Sequence, residues 1–332
     1  MLDTRFALFT FNFSCNFDPS MKRLTAFTLL LTSPLLYANH HPLNYDGMVE
    51  LFGIDFEATE IKTDKVSHGM YVFSGVGGNL AVSIGEDGVL IVDDQFPEMI
   101  PKIQEAVRKL GGDGVDYVIN THFHFDHADG NKALGPTGTN IISHENARTD
   151  MASGRMVNLV IAKYEQGAYP KKALPQITYS DSMHVHFNEQ RIDLFHFGPA
   201  HTTGDTMVYF RGSNVLHTGD VFITSGYPFI DVDNGGDIDG LIAFCEGILE
   251  QLAPDTVVIP GHGSVTNVQA IRDWVNMLST VRGRVAKMID EGKSLEEITA
   301  ANPTKGFDES YRDPSKSLGF INRVYTSLSN KR

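Results

Sequence analysis

Cysteine is nearly absent from this chain, with only Cys15 and Cys245 among 332 residues. If the N-terminal segment is removed on export, Cys245 stands alone and an internal disulfide is excluded. Cys245 lies among apolar residues at helical spacing, so it is predicted to be a small buried core residue rather than a nucleophile or a metal ligand. A metal site here would therefore use imidazole and carboxylate ligands.

Basic residues are also scarce, since 27 Lys and Arg face 41 Asp and Glu and the formal net charge is −14. Such a surface repels phosphate backbones, so we expect a small-molecule substrate and no nucleic-acid partner. The segment between Arg211 and Arg272 contains no Lys or Arg at all. With 42% apolar and 20% charged residues, the chain has enough apolar material for a large core, in one large or two small domains.

No apolar run is long and uninterrupted enough to predict a membrane span. Met21-Lys22-Arg23 is followed by the apolar segment Leu24 to Ala38, which contains Pro34. A basic start followed by a short apolar stretch is typical of a secretory signal. We therefore predict a signal peptide cleaved after Ala38, a true start at Met21, residues 1–20 as an artefact, and export to the periplasm or the medium. The alternative is a longer apolar anchor.

What the chain has is a concentration of metal-ligand residue types. His122, His124, Asp126 and His127 lie within six residues, directly after the apolar run 115–120, which is predicted to be a buried strand. Imidazole and carboxylate suit zinc, iron and manganese, and loops at strand ends are where rigid α/β scaffolds present reactive groups. A single histidine is usually structural, but four such side chains together predict a metal site.

Three later residues have the same chemistry and the same local context. His201 lies in a Gly/Pro-rich turn, Asp220 follows the short strand 214–216, and His262 lies between two glycines after the strand 256–259. Glycines allow the backbone to approach a ligand closely. Because each residue follows a strand, one rim of a sheet could collect all of them.

This set of residues resembles the metallo-β-lactamase superfamily in order, residue types and loop contexts, from about residue 66 to 265. The resemblance implies an α/β fold, the αββα sandwich, with a dinuclear site of two zinc ions, with iron or manganese as alternatives. It implies one metal held by His122, His124 and His201, and a second held by Asp126, His127 and His262. Asp220 would bridge the two metals.

The resemblance also implies roles in catalysis. A bridging hydroxide would attack a carbonyl, and Asp126 would act both as a ligand and as the catalytic proton acceptor. Asp93, at the end of the strand 88–93, matches the family's first motif and would orient a ligand rather than bind metal. The alternative for Asp93 is an ordinary carboxylate in a strand-end turn.

The substrate is less well defined by the sequence. The β-lactamase subclass with a cysteine ligand has Cys where this chain has Asp220, and it also has a nearby Lys that is missing here. The redox diiron branch usually has Glu in place of His124. We therefore expect a hydrolase of a β-lactam, ester or lactone, with a glyoxalase II-type thioesterase or an iron-dependent persulfide dioxygenase as the alternative. A non-catalytic binding protein would be favoured by lost ligands, and none is lost.

Two residues of the loop 221–240 are candidates for substrate contact. Tyr227 could donate a hydrogen bond to an oxyanion, although a packed loop aromatic is the alternative. Asn234 is a second polar candidate in the same loop.

The sequence predicts three parts: residues 1–38 with the signal, a catalytic domain at 39–265, and C-terminal helices at 266–332 packed on the sandwich. Residues 39–65 carry few signals and are predicted to be an arm or loop, and 155–176 to be an excursion over the sheet. Apolar residues at helical spacing predict a long helix over 267–290. Oligomeric state is not indicated.

Overall fold

The computed structural model describes residues 41–311 and 314–331, so the predicted signal segment 1–38 lies outside the described residues. Within them, a seven-stranded and a six-stranded sheet pack face to face, with helices against their outer faces. The predicted αββα architecture with C-terminal helices is confirmed.

The first sheet has the order β1-β2-β3-β4-β5-β6-β9, with antiparallel pairing up to β4 and parallel pairing from β4 onwards. Its strands are β1 Lys62–Ser67, β2 Met70–Ser74, β3 Leu80–Gly85, β4 Gly88–Val92, β5 Tyr117–Ile119, β6 Asn140–His144 and β9 Ile177–Tyr179. The carboxyl ends of β4 and β5 therefore lie at one edge, which is where the loops that follow them meet.

The second sheet has the order β10-β11-β12-β13-β14-β15 and contains one parallel pair, β13 with β14. Its strands are β10 Ser182–Phe187, β11 Gln190–Phe195, β12 Met207–Phe210, β13 Val215–His217, β14 Val257–Ile259 and β15 Thr266–Asn267. The parallel pairing places the loops after β13 and β14 side by side.

The alternating direction of side chains along each strand explains how the sheets and helices form layers. In β2, Val72 belongs to the core between the sheets, whereas its neighbour Phe73 belongs to the outer core under a helix. In β12, Val208 faces the core between the sheets and Tyr209 belongs to the core beneath the C-terminal helices. Successive strand residues point to opposite faces, so both faces of each sheet are covered.

Helices cover the outside of both sheets. They are α1 Tyr45–Leu51, α2 Ile100–Lys109, α3 Phe125–Ala128, α4 Asn131–Leu134, α5 Glu145–Ser153, α6 Ile238–Leu249, α7 Val268–Asp290, α8 Leu295–Ala300, α9 Asp308–Tyr311 and α10 Pro314–Ser329. The side chain of Asn267 caps α7, and Ser294 and Glu297 form the capping box that the sequence indicates for α8. No helix in the described ranges is both long and apolar enough to cross a membrane.

The sequence predicts an arm or loop at residues 39–65, and the structure shows that this segment contains α1 and most of β1. β1 is an edge strand whose side chains are mostly exposed, so it lacks the apolar alternation from which a strand is predicted. Its pairing with β2 depends on backbone hydrogen bonds, which do not require particular residue types and so cannot be predicted from them.

The excursion at 155–176 contains a hairpin, β7 Arg155–Asn158 and β8 Lys163–Gln166. One face packs on the metal-ligand loop: Tyr164 lies edge-on to Phe125, and Gln166 Nε2 donates to the carbonyl of Phe123 at 2.7 Å. The segment before α1 contacts the hairpin from outside, since the Leu43 N–H donates to the carbonyl of Lys163. The hairpin is therefore part of the wall around the site.

The C-terminal helices share one core with the second sheet. Trp274 of α7 is completely buried, and its indole N–H donates to the carbonyl of Val221 at 3.1 Å. Phe320 and Val324 of α10 belong to the same cluster as Leu216 of β13. These helices form the outer layer of the second half rather than a separate unit.

Candidate metal centre

The strand ends bring the seven predicted ligands together. His122, His124, Asp126 and His127 follow β5, while Asp220 follows β13 and His262 follows β14. His201 lies in the connection from β11 to β12. Three groups of candidate ligand atoms lie within 4.8 Å of one another: His122 with His124 and His201, His122 with His127 and Asp220, and Asp126 with His127 and His262.

The first group consists of three buried histidines. Nδ1 of His124 lies 3.1 Å from Nε2 of His122 and 2.9 Å from Nε2 of His201. We name this arrangement the three-histidine group.

The outer hydrogen bonds of these rings determine which nitrogen is free. Nδ1 of His201 faces the carbonyl of Phe229 at 2.8 Å, so this nitrogen carries the proton. Nε2 of His124 donates to the Asp231 carboxylate at 2.9 Å. The Thr121 hydroxyl gives its proton to Asp93, so it accepts from Nδ1 of His122.

Three nitrogen lone pairs therefore point at one another across about 3 Å, an arrangement that a shared divalent cation stabilises. These three imidazole nitrogens are therefore suitable donors for a metal ion.

The group of Asp126, His127 and His262, which we name the second group, is less enclosed. Nε2 of His262 lies 3.2 Å from Oδ2 of Asp126 and 3.1 Å from Nε2 of His127. The side chains of Asp126 and His262 are 22% and 26% exposed, whereas His127 is completely buried. Substrate and solvent therefore reach the centre from this side.

Asp220 lies between the two groups. Its Oδ1 is 3.2 Å from Nε2 of His127, and its Oδ2 is 3.4 Å from Nε2 of His262 and 3.9 Å from Nε2 of His201. Oδ1 is buried and has no hydrogen-bond donor among the described residues, as expected for an oxygen that binds a cation. Asp220 therefore lies beside histidines of both groups.

Burial and charge shift the pKa values in the centre. Burial, together with the neighbouring histidines, lowers the pKa of His122 well below its usual range, which keeps it neutral and ready to bind metal. Burial alone would lower the pKa of His262, but the carboxylates of Asp220 and Asp126 raise it to about 9. Burial would raise the pKa of Asp126, yet His127 and His262 lower it to about 2.

Two glycines allow the close approach around the centre. A Cβ atom at Gly261 would overlap Oδ1 of Asp220, and one at Gly78 would overlap the His127 ring. Only a residue without a side chain fits at either position.

Asp93 lies directly behind the ligands, where it orients them without facing the centre. Its Oδ1 accepts from the Thr121 N–H at 2.7 Å, and its Oδ2 accepts from Nδ1 of His127 at 2.7 Å. Asp93 thus contacts His127 and the residue that precedes His122, and its orienting role stays a prediction.

Asp231, which holds His124, is the residue that the sequence analysis missed. It follows Phe229 and Ile230 in a loop. A carboxylate among aromatic and apolar residues was the only feature of the sequence that could have indicated a buried, functional Asp231. Burial would raise its pKa, but the hydrogen bonds from His124 and Asn234 lower it. Asn234 donates to Oδ2 of Asp231 at 2.8 Å, so this predicted candidate supports a ligand from behind.

Tyr227 is placed away from substrate. Its hydroxyl donates to Oδ1 of Asp308 at 2.8 Å, and its ring stacks on Tyr311 and Phe320. The side chain is 3% exposed, so it forms part of the packing under the C-terminal helices, which is the alternative weighed from the sequence.

Comparison with known proteins agrees with this geometry. The family model of the metallo-beta-lactamase superfamily matches residues 75–262, a stretch that contains every candidate ligand. The chain belongs to the metallo-beta-lactamase superfamily. The prediction of this family is therefore confirmed.

Curated relatives of this superfamily member include hydroxyacylglutathione hydrolases. A hydroxyacylglutathione hydrolase of Polaromonas sp. is 30% identical over 168 residues, 49% of this chain and 54% of that relative. The chain thus spans about half the length of that relative. A probable hydroxyacylglutathione hydrolase of Schizosaccharomyces pombe is 29% identical over 262 residues, 75% of this chain and 87% of that relative.

Solved structures share the fold. The DIM-1 metallo-beta-lactamase superposes with a TM-score of 0.55 at 19% identity, over 67% of this chain and 98% of that chain. A metallo-beta-lactamase from Pontibacter korlensis gives 0.53 at 16% identity, over 66% and 99%. At these identities the likeness concerns the fold alone.

Proposed function

We propose that this protein is a dinuclear metal hydrolase, with zinc as the resident metal, that cleaves an acyl thioester or ester. The observation that carries this proposal is the position of Asp220 within 3.9 Å of a histidine nitrogen from each ligand group. We propose the seven candidate residues as its ligands, three in the three-histidine group, three in the second group, and Asp220 shared.

Bound there, two divalent cations acidify water into a nucleophile, lowering its pKa from about 15.7 towards 7, and polarise the carbonyl under attack. Asp126 supplies a partly exposed carboxylate beside His262, positioned to accept a proton from the attacking water. The buried Asp93 and Asp231 hold the histidine rings in orientation, so no reorganisation is needed when substrate binds.

The thioester is favoured over the β-lactam by two observations. Relatives aligned over as much as 87% of their length are named as hydrolases of a glutathione thioester, whereas the likeness to β-lactamases is one of fold. In addition, no Lys or Arg lies between Arg211 and Arg272, so the loop between β13 and β14 offers no cation for the carboxylate of a β-lactam. Export through the segment Met21 to Ala38 is also proposed, and it accords with a substrate other than cytosolic glutathione conjugates.

The test is turnover by the purified, zinc-loaded chain on three substrates: a lactoyl thioester of glutathione, an uncharged acyl thioester of N-acetylcysteamine, and a chromogenic cephalosporin. We expect chelator-sensitive hydrolysis of at least one thioester, and its loss in Asp220→Asn. Turnover of the cephalosporin alone would overturn the thioester assignment. Failure to bind two metal ions would overturn the dinuclear hydrolase itself.

A further inference from the structure

We propose that residues 231–237, which we name the positioning segment, set the geometry of the three-histidine group and connect it to the C-terminal helix α10. The inference deepens the proposed function and rests on it, because it concerns the residues that hold one metal site from outside.

The positioning segment contacts two members of the group, His124 and His201. Oδ2 of Asp231 accepts the His124 Nε2–H at 2.9 Å, and the Asp231 side chain is completely buried. The Asp231 N–H donates to the His201 carbonyl at 2.9 Å, and the Asp237 N–H donates to the Ala200 carbonyl at 2.8 Å. One short stretch of chain therefore fixes the ring of one histidine and the backbone of another.

Asp231 is itself held from two sides. Nδ2 of Asn234 donates to Oδ2 of Asp231 at 2.8 Å and to the carbonyl of Met156 in the hairpin at 2.9 Å. The backbone closes on the same residue, because the Gly236 N–H donates to the Asp231 carbonyl at 2.8 Å. A Cβ atom at Gly236 would overlap the His201 carbonyl, so the turn fits only with glycine there.

The far side of the positioning segment is bound by α10. Nη1 of Arg323 donates to Oδ2 of Asp233 at 2.5 Å, and Oγ of Ser327 donates to Oδ2 of Asp237 at 2.9 Å. Arg323 is 5% exposed, so this contact lies inside the protein although Asp233 is at the surface. These bonds join residues 90 positions apart, and they place α10 one residue layer behind the metal centre.

The consequence is a specific role for Asp231 as a positioning residue. A carboxylate behind a metal-binding imidazole fixes the ring and raises its basicity, and removing such a partner costs about 10- to 100-fold in metal affinity. Asn at 231 keeps the shape and removes the charge. An amide oxygen in the place of Oδ2 is an uncharged and therefore weaker acceptor for His124 and Asn234.

The experiment isolates the three-histidine group by titrating metal in a His262→Ala background, where the second group has lost a ligand. Zinc affinity is measured by competition with a chromophoric chelator, and the visible spectrum of bound Co²⁺ reports ligand geometry. We expect Asp231→Asn to weaken affinity about 10- to 100-fold and to change the spectrum. We expect Arg323→Gln to weaken affinity in the same direction by less.

Arg284→Gln is the matched control. Arg284 is a helix arginine that donates to the carbonyls of Pro303 and Lys305 and makes no hydrogen bond with the positioning segment. Asn234→Ala is a milder second variant, since it leaves the Asp231 carboxylate in place and removes from a partly exposed position the donor to Asp231 and to the Met156 carbonyl. We expect Asn234→Ala to lower the zinc affinity. We expect Arg284→Gln to keep the zinc affinity of the His262→Ala background.

The outcomes separate this inference from the proposed function. If the parent chain binds no divalent cation, the metal hydrolase itself is overturned. If the parent binds zinc and both Asp231→Asn and Asn234→Ala keep its affinity and Co²⁺ spectrum, only the positioning role is overturned. If the zinc affinity of Arg323→Gln equals that of Arg284→Gln while the zinc affinity of Asp231→Asn is lower, the connection to α10 is overturned.

Discussion

Oδ2 of Asp93 lies 2.7 Å from Nδ1 of His127, and both side chains are completely buried. The same oxygen accepts from the Thr121 hydroxyl at 2.9 Å, and Thr121 in turn accepts from Nδ1 of His122. One carboxylate therefore orients a histidine in each of the two ligand groups. Because His122 and His127 belong to different groups, a single substitution at Asp93 should disturb both groups.

We expect Asp93→Asn to weaken the affinity of the centre for zinc by about 10- to 100-fold, with a loss of turnover that excess zinc restores in part. The amide has only one oxygen, so its NH2 group would face either the Thr121 N–H or the two donors that now bind Oδ2. Metal content after dialysis against a weak chelator is the measurement. Asp64→Asn, on the exposed strand β1, is the control, and equal zinc retention in the two variants would contradict the role of Asp93.

Gly261→Ala should abolish the centre while sparing most of the fold. The new methyl group would overlap Oδ1 of Asp220 and press on the backbone of Gly219, so the shared ligand must move. Equilibrium dialysis with zinc, followed by elemental analysis, measures the loss. Gly114→Ala is the control because a Cβ there has no neighbour within 4 Å, and full zinc content in Gly261→Ala would refute the requirement for close approach.

Gly283→Ala should stabilise the protein by about 1 kcal/mol, since glycine in a helix interior is less favourable than alanine by that amount. Gly283 is exposed within α7, and a Cβ added there meets open space. Gly240→Ala in α6 is expected to change stability in the opposite direction, because its Cβ would overlap the Pro199 carbonyl. Urea unfolding followed by tryptophan fluorescence gives both free energies, and stabilisation by both variants would contradict the packing of α6.

Tyr227→Phe distinguishes a packing residue from an oxyanion donor. The ring stays between Tyr311 and Phe320, and only the hydrogen bond to Asp308 is lost. We expect about 1 kcal/mol of lost stability and unchanged kcat and KM. A fall of tenfold or more in kcat with retained stability would instead show that the hydroxyl acts on substrate.

Removal of divalent cations should lower the unfolding temperature. A metal that binds only the folded state stabilises it by about 2.7 kcal/mol at 100 times its Kd. Differential scanning calorimetry with and without chelator measures the shift. A matched shift in Asp220→Asn would show that the chelated metal binds elsewhere.

Much of the centre follows from local sequence. The four ligands after β5 are close in the chain, and a strand followed by a loop is recognisable from apolar runs and glycines. The helix α7 was also predicted within a few residues, because amphipathic spacing is a local signal. β1 was missed because an exposed edge strand carries neither signal.

The sequence by itself determined the family, the layered fold, and the chemical types and order of the candidate ligands, since each depends on patterns a few residues long. Only the tertiary structure decided which side chains hold those ligands. Asp231 reaches His124 across 107 positions, and Tyr227 reaches Asp308 across 81, so no periodicity or motif connects either pair. Such contacts arise when two sheets and their helices pack, and a buried hydrogen bond depends on the positions of both partners in space rather than on either residue type.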